Sequence, residues 1–430
     1  MRVNNEKILL GLFVISIFHR TLLLLFLVYL FWISFYSVAD CIKSLFLISL
    51  RTILGTQIAV PISSFQMFKW LIIFVIATLT LIKINHSMMQ LERYIKLRKI
   101  LIVVGMFGGF VFCVSLFNSS YPIVSIFKIF SFVYVFISVL LGVCVTASKV
   151  HWGNFVYKYM SIIIWTSLAM ALVPQGYYLT TNYLQGVTNQ CNMLGILCAL
   201  YVSLVIYLIA IDGGTTDKKV SLAVGIICCW MSRSRTGMLS IVLTLLIWLF
   251  MVKLKKGLKA KIVAGIMCVL VVMMIVPNTR SIIISNVSEF VFKRQEVTIN
   301  SSLGDVLVSR EKQKQNFITK LENNILFGSG FQTPYSSNRQ NWSFSFDLIV
   351  EPGNIIYAVL GDSGVLGFLI FLCFVINLFI GVKCKPGYLV LAAPFTISLG
   401  EMVFFSVNNI AAILYIFIGM AIFGRKMIDD

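Results

Sequence analysis

The chain has 430 residues, of which 59% are hydrophobic and only 12% are charged. A soluble domain carries about 25% charged residues, so the composition excludes an ordinary soluble protein. The formal net charge of +19 would suit a nucleic-acid-binding protein, but the basic residues cluster in short loops between apolar runs, which is the topology signal of a membrane protein. We therefore expect no nucleic-acid partner.

Apolar runs of roughly 17 to 25 residues, long enough to cross a bilayer, recur along the chain. They predict an all-α polytopic membrane protein with about 12 transmembrane helices, within a range of about 10 to 14, and one large extracytoplasmic loop. The predicted divisions are residues 1–276 for the N-terminal transmembrane helices, 277–363 for the loop with its short helices, and 364–430 for the C-terminal transmembrane helices.

The first apolar run, residues 8–36, is interrupted at His19-Arg20 and is either one long helix or a tight hairpin. It lacks a small-residue cleavage site, so we interpret it as a retained span and not as a signal peptide. Residues 42–60 carry Arg51 and form the weakest candidate span. The clear apolar runs that follow are residues 68–84, 101–117, 123–146, 155–173 and 192–211.

Two shorter runs, residues 220–231 and 238–252, flank the polar turn at 232–237. After them come the strongest basic cluster at 253–261, an apolar run at 262–276, the long polar loop, and apolar runs at 365–382, 388–405 and 410–423. If the basic cluster is cytoplasmic, alternation places both termini in the cytoplasm. The same alternation places residues 174–190, 232–237 and 277–353 outside.

Arg233 and Arg235 lie in the outer turn and break the charge bias of the other short loops. Because the flanking runs are short, we expect the turn to dip below the headgroups, where a guanidinium is costly unless it is paired or hydrated. One interpretation is an arginine that reaches outer-leaflet phosphates. The other is an anion site, since the planar fork of arginine matches phosphate oxygens.

Within the long loop, Ser302 resembles a helix cap, and the pattern predicts a helix from there to about Asn323. Arg310 shares the apolar face of that helix with Phe317, so it needs a partner, either a phosphate or a nearby carboxylate. Arg280, early in the loop, is a further candidate for binding phosphate.

Two carboxylates stand where helices restart or break after the loop. Glu351 precedes a predicted helix start, and Asp362 lies in the Gly361–Gly364 stretch that is expected to break the helix before the next span. A partly desolvated carboxylate can accept a proton, so Glu351 is the candidate general base and Asp362 the reserve, with helix capping as the alternative for both. All ten cysteines lie in or beside apolar segments, and we expect no metal site and no cofactor.

Several short motifs occur in a characteristic order around the large loop. They are residues 186–195 (GVTNQCNMLG), Ser234-Arg235-Thr236-Gly237, Ser309-Arg310 followed by Phe317, residues 324–331 (NILFGSGF), and Asn354, Gly361 and Gly364–Gly367. In this order the chain, over residues 180–380, resembles the O-antigen ligase and polymerase family of bacterial surface-polysaccharide enzymes.

The resemblance implies a metal-independent glycosyltransferase of the bacterial cytoplasmic (inner) membrane whose active site faces the periplasm. Its substrates would be undecaprenyl-pyrophosphate-linked oligosaccharides within the membrane lipid, and its partners could include a chain-length regulator. By this analogy Arg235 and Arg310, with Arg233 and Arg280, hold the departing pyrophosphate, which is transition-state stabilisation by charge. Asn192 and Asn354 would bind the acceptor glycan.

One position departs from the ligase pattern. Ligases of this family resemble one another in a histidine just before the asparagine, and here that position is Gly353. The three histidines, His19, His86 and His151, lie outside the matching region. We therefore favour an O-antigen polymerase with Glu351 as base, and keep a ligase acting on lipid A core, or a polysaccharide or lipid-linked sugar exporter, as alternatives. An exporter would be expected to show internal repeats, which are not evident.

Overall fold

The computed structural model describes residues 2–84, 91–179, 182–251, 311–333 and 353–424. Within these residues the secondary structure is helical, with two isolated β-bridges and no strand, which confirms the predicted all-α class. The helices are α1 (Arg2–Ile15), α2 (Arg20–Ile33), α3 (Val38–Thr52), α4 (Gln66–Ile84), α5 (Leu91–Asn118), α6 (Pro122–Thr146), α7 (Trp152–Ala169), α8 (Cys191–Asp212), α9 (Thr216–Met231), α10 (Arg235–Met251), α11 (Glu311–Asn323), α12 (Ile355–Gly381), α13 (Gly387–Ser398) and α14 (Ala411–Phe423).

Six segments of the described chain are long and apolar enough to cross a membrane: Ile62–Ile84, Ile95–Asn118, Pro122–Thr146, Trp152–Leu172, Cys191–Asp212 and Ile355–Gly381. Four further apolar helices, α2, α10, α13 and α14, are shorter. A polytopic membrane protein is the architecture that these helices form. The total of about 12 spans stays a prediction, because the apolar run at 262–276 lies outside the described residues.

The N-terminal run forms two helices that pack against each other, α1 and α2. His19 separates them and caps α2, since its Nδ1 accepts a hydrogen bond from the Thr21 N–H at 3.2 Å. The weak run that follows contains α3, whose Arg51 is fully buried. The Arg51 guanidinium donates to the carbonyls of Ser16, at 3.1 Å, and Val60, so this cation is held inside the bundle by backbone oxygens.

The core of the bundle is formed by α8 and α14. Helix α8 is buried along most of its length because α7, α9, α10 and α13 pack around it. Every residue of α14 is buried, and this helix packs against α6 and α13. Aromatic contacts continue the core into the C-terminal turns, where the ring centroids of Phe132 and Phe405 lie 4.7 Å apart. These two helices form the scaffold on which the polar end of the molecule is built.

The last predicted spans are shorter than the apolar pattern suggests. Helix α13 ends at Ser398, and residues 399–410 form turns instead of continuing the span to residue 405. The turn begins where Gly400 packs against Thr236 of α10, with so little room that a Cβ on Gly400 would lie 2.2 Å from the Thr236 hydroxyl oxygen. Tight packing between α10 and this turn therefore directs the chain sideways across the end of the bundle.

Two of the stretches predicted to lie outside, residues 174–190 and 232–237, come together at one end of the bundle. The Leu184 N–H donates to the Met231 carbonyl at 3.1 Å, joining the 174–190 loop to the turn that contains the arginines. The Gly55 N–H donates to the Val187 carbonyl at 2.9 Å, joining the α3–α4 connection to the same loop. Helices α4, α6, α8, α10 and α12 all begin near this end, as the contacts described below establish.

Candidate functional site

A cavity of about 580 Å³ opens at this end of the bundle. Its walls come from the α3–α4 connection and the first turns of α4, α6 and α8. Gln332, Gly353 and the turns after α13 complete them. The charged residues and amides among its lining are Gln66, Lys69, Lys128, Asn189, Gln190, Asn192, Gln332, Glu401, Asn408 and Asn409. The cavity is therefore a polar space inside an otherwise apolar helix bundle.

The glycine-rich segment after α11 closes one side of this region by docking onto α12. The N–H groups of Ser329 and Gly330 donate to the carbonyls of Gly361 and Asp362, at 3.1 and 3.0 Å, and the Val365 N–H donates to the Ile325 carbonyl at 3.0 Å. Helix α12 is broken between these contacts, at Gly364. The break frees backbone groups of α12, and the docked segment provides their hydrogen-bond partners.

Glycine is required on both sides of this junction. Gly364 has φ 63° and ψ −170°, and a Cβ there would lie 2.3 Å from the Leu326 carbonyl oxygen. Gly328 has φ 77°, and a Cβ there would lie 2.5 Å from the Asp362 carbonyl carbon. The predicted helix break before the last spans is confirmed, and so is the predicted end of the loop helix at Asn323.

Asp362, the reserve base in the sequence analysis, lies in this junction and not in the cavity lining. Its carboxylate forms an ion pair with Lys320 of α11, and both side chains are almost completely buried, 6% and 3% exposed. The second carboxylate oxygen accepts the Gln332 N–H at 2.8 Å. Lys320 also donates to the carbonyls of Gly330 and Thr333, at 3.0 and 3.3 Å. The pair thus fixes the segment that carries Gln332 to the cavity.

Asn192 lines the cavity at the start of α8, and its contact with a glycan stays a prediction. Its amide donates to the Glu401 carboxylate at 3.2 Å. The backbone of Glu401 is held at the end of α13, where its N–H donates to the Ile397 carbonyl at 2.8 Å. Sequence reasoning missed Glu401, although an isolated carboxylate in an apolar C-terminal region is a signal for a functional site.

Arg235 is the first residue of α10 and is half-buried. The residues on either side of Arg235 pack against two walls of the cavity. Ser234 lies so close to Gly195 of α8 that a Cβ on Gly195 would be 2.0 Å from the Ser234 Cβ, and Thr236 packs on Gly400. Arg235 is thereby adjacent to the elements that carry Asn192 and Glu401, although it is not itself among the lining residues.

Arg233, the other arginine of this turn, has a left-handed backbone, φ 52°. Its guanidinium carbon lies 5.6 Å from the centroid of the Trp230 ring. This is a cation–π contact with the preceding helix.

Two lysines of the cavity wall were also missed. Lys69 of α4 is 1% exposed, and its ammonium donates to the Asn408 carbonyl at 3.1 Å. Lys128 of α6 donates to the Gln332 carbonyl at 2.8 Å. Each is the single charged residue in the first turns of an apolar span, and such a residue is a candidate for a functional site. Which residues it contacts depends on the packing of distant segments.

The remaining predicted residues divide into two groups. Asn354 caps α12, since its side-chain oxygen accepts the Ile356 N–H at 2.7 Å. Glu351, Arg310 and Arg280 lie outside the described residues, so the predicted pairing of Arg235 with Arg310 stays a prediction. Gly353, at the position where the ligase pattern has histidine, lines the cavity with φ 71°.

The electrostatics of this end suit an anionic, hydroxyl-rich ligand. Helix N-termini concentrate positive potential through their unpaired N–H groups, and helices α4 and α8 begin at the cavity. The amides of the lining can donate to and accept from sugar hydroxyls. Lys69 and Lys128 add positive charge to the wall, while Glu401 supplies a carboxylate that can accept a proton.

The comparison with known protein families agrees with this description. Residues 220–372 match the family model described as O-antigen ligase. The match runs from α9 to the first part of α12 and includes Arg235, the Lys320–Asp362 pair and Gly353. No curated protein matches the chain. Residues 220–372 are thus similar to the O-antigen ligase family, consistent with the O-antigen ligase and polymerase family that the sequence motifs resemble.

Proposed function

We propose that this protein is a surface-polysaccharide (O-antigen) polymerase of the bacterial cytoplasmic membrane, with its cavity facing the outside. It transfers a polyprenyl-pyrophosphate-linked glycan onto the terminal sugar of another lipid-linked repeat unit. One observation carries the proposal: the O-antigen ligase family domain contributes Gln332 and Gly353 to a polar cavity. Arg235, the first residue of α10, belongs to the same domain and lies beside that cavity.

The proposed reaction requires a base and an anion site. A carboxylate takes the proton from the acceptor hydroxyl, and the oxygen attacks the anomeric carbon of the donor glycan. A new glycosidic bond forms as the bond from that carbon to the pyrophosphate oxygen breaks, and the electron pair leaves with the pyrophosphate. Arg235 and Arg310 stabilise the charge that develops on this leaving group. No step in this scheme uses a metal ion.

Two carboxylates compete for the role of base. Glu351 is the candidate from the sequence, and Glu401 is a carboxylate in the cavity lining. Exchange of each for glutamine removes the proton acceptor and keeps the shape of the side chain. We expect the variant of the true base to lose polymer formation while substrate binding remains, and the other variant to keep activity.

Gly353 favours a polymerase over a ligase. The position lies on the cavity wall, where the histidine of the ligase pattern would be able to reach the substrate, and this chain has no side chain there. The ligase remains the second candidate because the matching family model carries that description.

Deletion of the gene in its host separates these two activities. A strain without a polymerase still displays single repeats on its lipopolysaccharide, whereas a strain without a ligase displays none.

Complementation of the deletion strain tests the proposed anion site. Arg235→Ala and Arg310→Ala should abolish long polysaccharide chains and leave single repeats, because the charge on the leaving group loses its partner. Arg98→Ala is the matched control, since Arg98 is an exposed arginine of α5. Membrane levels of each variant are compared by immunoblot. Polymer of normal length in both Arg235→Ala and Arg310→Ala would contradict the proposed site.

A further inference from the structure

We propose that Trp70, Asn408 and Asn409 form a subsite of the cavity that binds the hydroxyl groups of a neutral sugar in the substrate glycan. The inference rests on the proposed function for the source of that sugar, a lipid-linked repeat unit. The subsite itself is argued from three buried polar atoms on the cavity wall.

Each of these three residues lines the cavity and has a buried polar atom that lacks a hydrogen-bond partner. The atoms are Nε1 of Trp70 and the Oδ1 atoms of Asn408 and Asn409, and none has a partner within the part of the chain that the structure describes. Unpaired buried polar groups oppose folding, and native proteins pair almost all of them. Three such groups on one cavity wall indicate that the ligand of the cavity, and not the fold, provides their partners.

The fold brings the three residues to one part of the wall. Lys69, which precedes Trp70 in the first turn of α4, donates to the Asn408 carbonyl at 3.1 Å, so α4 contacts the turn that carries both asparagines. The Trp70 ring is positioned by aromatic neighbours, since its centroid lies 5.7 Å from that of Phe74 and 5.3 Å from that of Phe127. The last torsions of tryptophan and asparagine side chains are soft, so small rotations can bring the buried atoms to a ligand in the cavity.

The unpaired atoms specify the chemistry of the ligand. An indole N–H only donates, and an amide oxygen only accepts. A phosphate or an ionised carboxylate would suit the indole but would give the amide oxygens no donor, whereas a hydroxyl group both donates and accepts. Neighbouring hydroxyls of a sugar therefore match this set, and the partly exposed Trp70 ring provides an apolar surface for the less polar face of a sugar.

This subsite is distinct from the anion site of the proposed reaction. Trp70 precedes residues 220–372 and the two asparagines follow them, whereas Arg235 lies within them. Transfer requires that the acceptor hydroxyl and the anomeric carbon be held in register, and hydrogen bonds to neighbouring hydroxyls hold a sugar in one orientation. The subsite thus selects the sugar, while the arginines bind the pyrophosphate that every lipid-linked repeat carries.

Binding measurements on the purified full chain in nanodiscs test the subsite without requiring activity. The probes are the lipid-linked glycan extracted from the deletion strain and farnesyl diphosphate, which carries a pyrophosphate but no sugar. We expect the Asn408→Leu/Asn409→Leu double variant to bind the glycan at least roughly tenfold more weakly, and Trp70→Phe to bind it about two- to tenfold more weakly, the scale of lost hydrogen bonds. Both variants should bind farnesyl diphosphate as wild type does.

Thermal unfolding of the same variants separates a binding role from a structural one. Leucine and phenylalanine remove atoms that are unpaired, so both variants should unfold at the wild-type temperature or above it. Trp152→Phe is the matched control, because the Trp152 indole donates to the Thr146 hydroxyl at 3.0 Å and neither residue lines this cavity. It should lower the unfolding temperature and leave the binding of both probes unchanged.

Two results would refute the subsite. One is wild-type affinity of both variants for the glycan. The other is an equal loss of glycan and farnesyl diphosphate binding together with a lower unfolding temperature, because that pattern reports a damaged fold. Either result leaves the complementation test of Arg235 and Arg310 unaffected, whereas a wild-type protein that binds the glycan no more tightly than farnesyl diphosphate would contradict the proposed function itself.

Discussion

The molecule places lysines in two contrasting environments. Lys320 lies within the matched residues 220–372 and is buried where α11 packs against α12, where it pairs with Asp362 and holds the glycine-rich segment. Lys69 and Lys128 line the cavity, where their ammonium groups donate to the backbone carbonyls of Asn408 and Gln332. The comparison teaches that a buried cation paired with a sealed carboxylate joins two segments of the fold, whereas cations held at backbone carbonyls beside a cavity give its wall positive charge.

The largest effect is expected from breaking the sealed pair. Asp362→Asn leaves the buried Lys320 ammonium without its anionic partner, which should lower the free energy of unfolding by about 3–5 kcal/mol. Unfolding in detergent, followed by tryptophan fluorescence, measures the change. Lys320→Met in the same background removes the orphaned charge and should recover part of the loss. Equal destabilisation by both the single and the double variant would show that the charge is not the cause.

The junction that this pair holds should be nearly as sensitive. Gly364→Ala forces a side chain into a left-handed backbone and against the Leu326 carbonyl, so we expect a loss of about 1–3 kcal/mol. Gly109→Ala in α5 is the matched control, because a Cβ there meets nothing within 4 Å and the exchange favours the helix. Comparable unfolding temperatures for the two variants would contradict the packing of the kink.

An effect of similar size is expected where the segment is attached to α6. Ser125 is buried, and its hydroxyl oxygen accepts the Phe331 N–H at 2.6 Å. Ser125→Ala leaves that N–H without its acceptor, which should cost about 1–3 kcal/mol. Hydrogen exchange of residues 329–333 should become faster, while exchange at the far end of α6 stays unchanged. Unaltered exchange at Phe331 would show that the segment is held without this contact.

The smallest effect is expected at Arg233. Its contact with Trp230 is a half-exposed cation–π interaction, so Trp230→Leu should cost only about 0.5–1 kcal/mol. Because Arg235 carries the proposed function of the turn, the Trp230→Leu strain should make polysaccharide chains of normal length, seen as an unchanged ladder on a gel. A ladder as short as that of Arg235→Ala would mean that the conformation of the turn, and not Arg235 alone, determines activity.

The local features of this fold were predictable from the sequence. Apolar runs identified the helical membrane class, because a chain in lipid must satisfy its backbone within helices. The end of α11 at Asn323 and the break at Gly364 followed from residue types that end or interrupt helices. The end of α13 at Ser398 was missed, since the packing of Gly400 against Thr236, and not the apolar pattern, ends that helix.

The composition of the cavity was decided by tertiary structure alone. Lys69, Lys128 and Glu401 stand in separate apolar segments, and hydrophobic periodicity does not specify which helices become neighbours. The same reason explains Asp362. Its position in the sequence suggested a general base, but the packing of α12 against α11 makes it the partner of Lys320. The sequence by itself determined the membrane class, the helix ends set by local residue types and the family motifs, because these depend on nearby residues. Only the packing of distant helices decided which charges meet, because a charge acts through its neighbours in space.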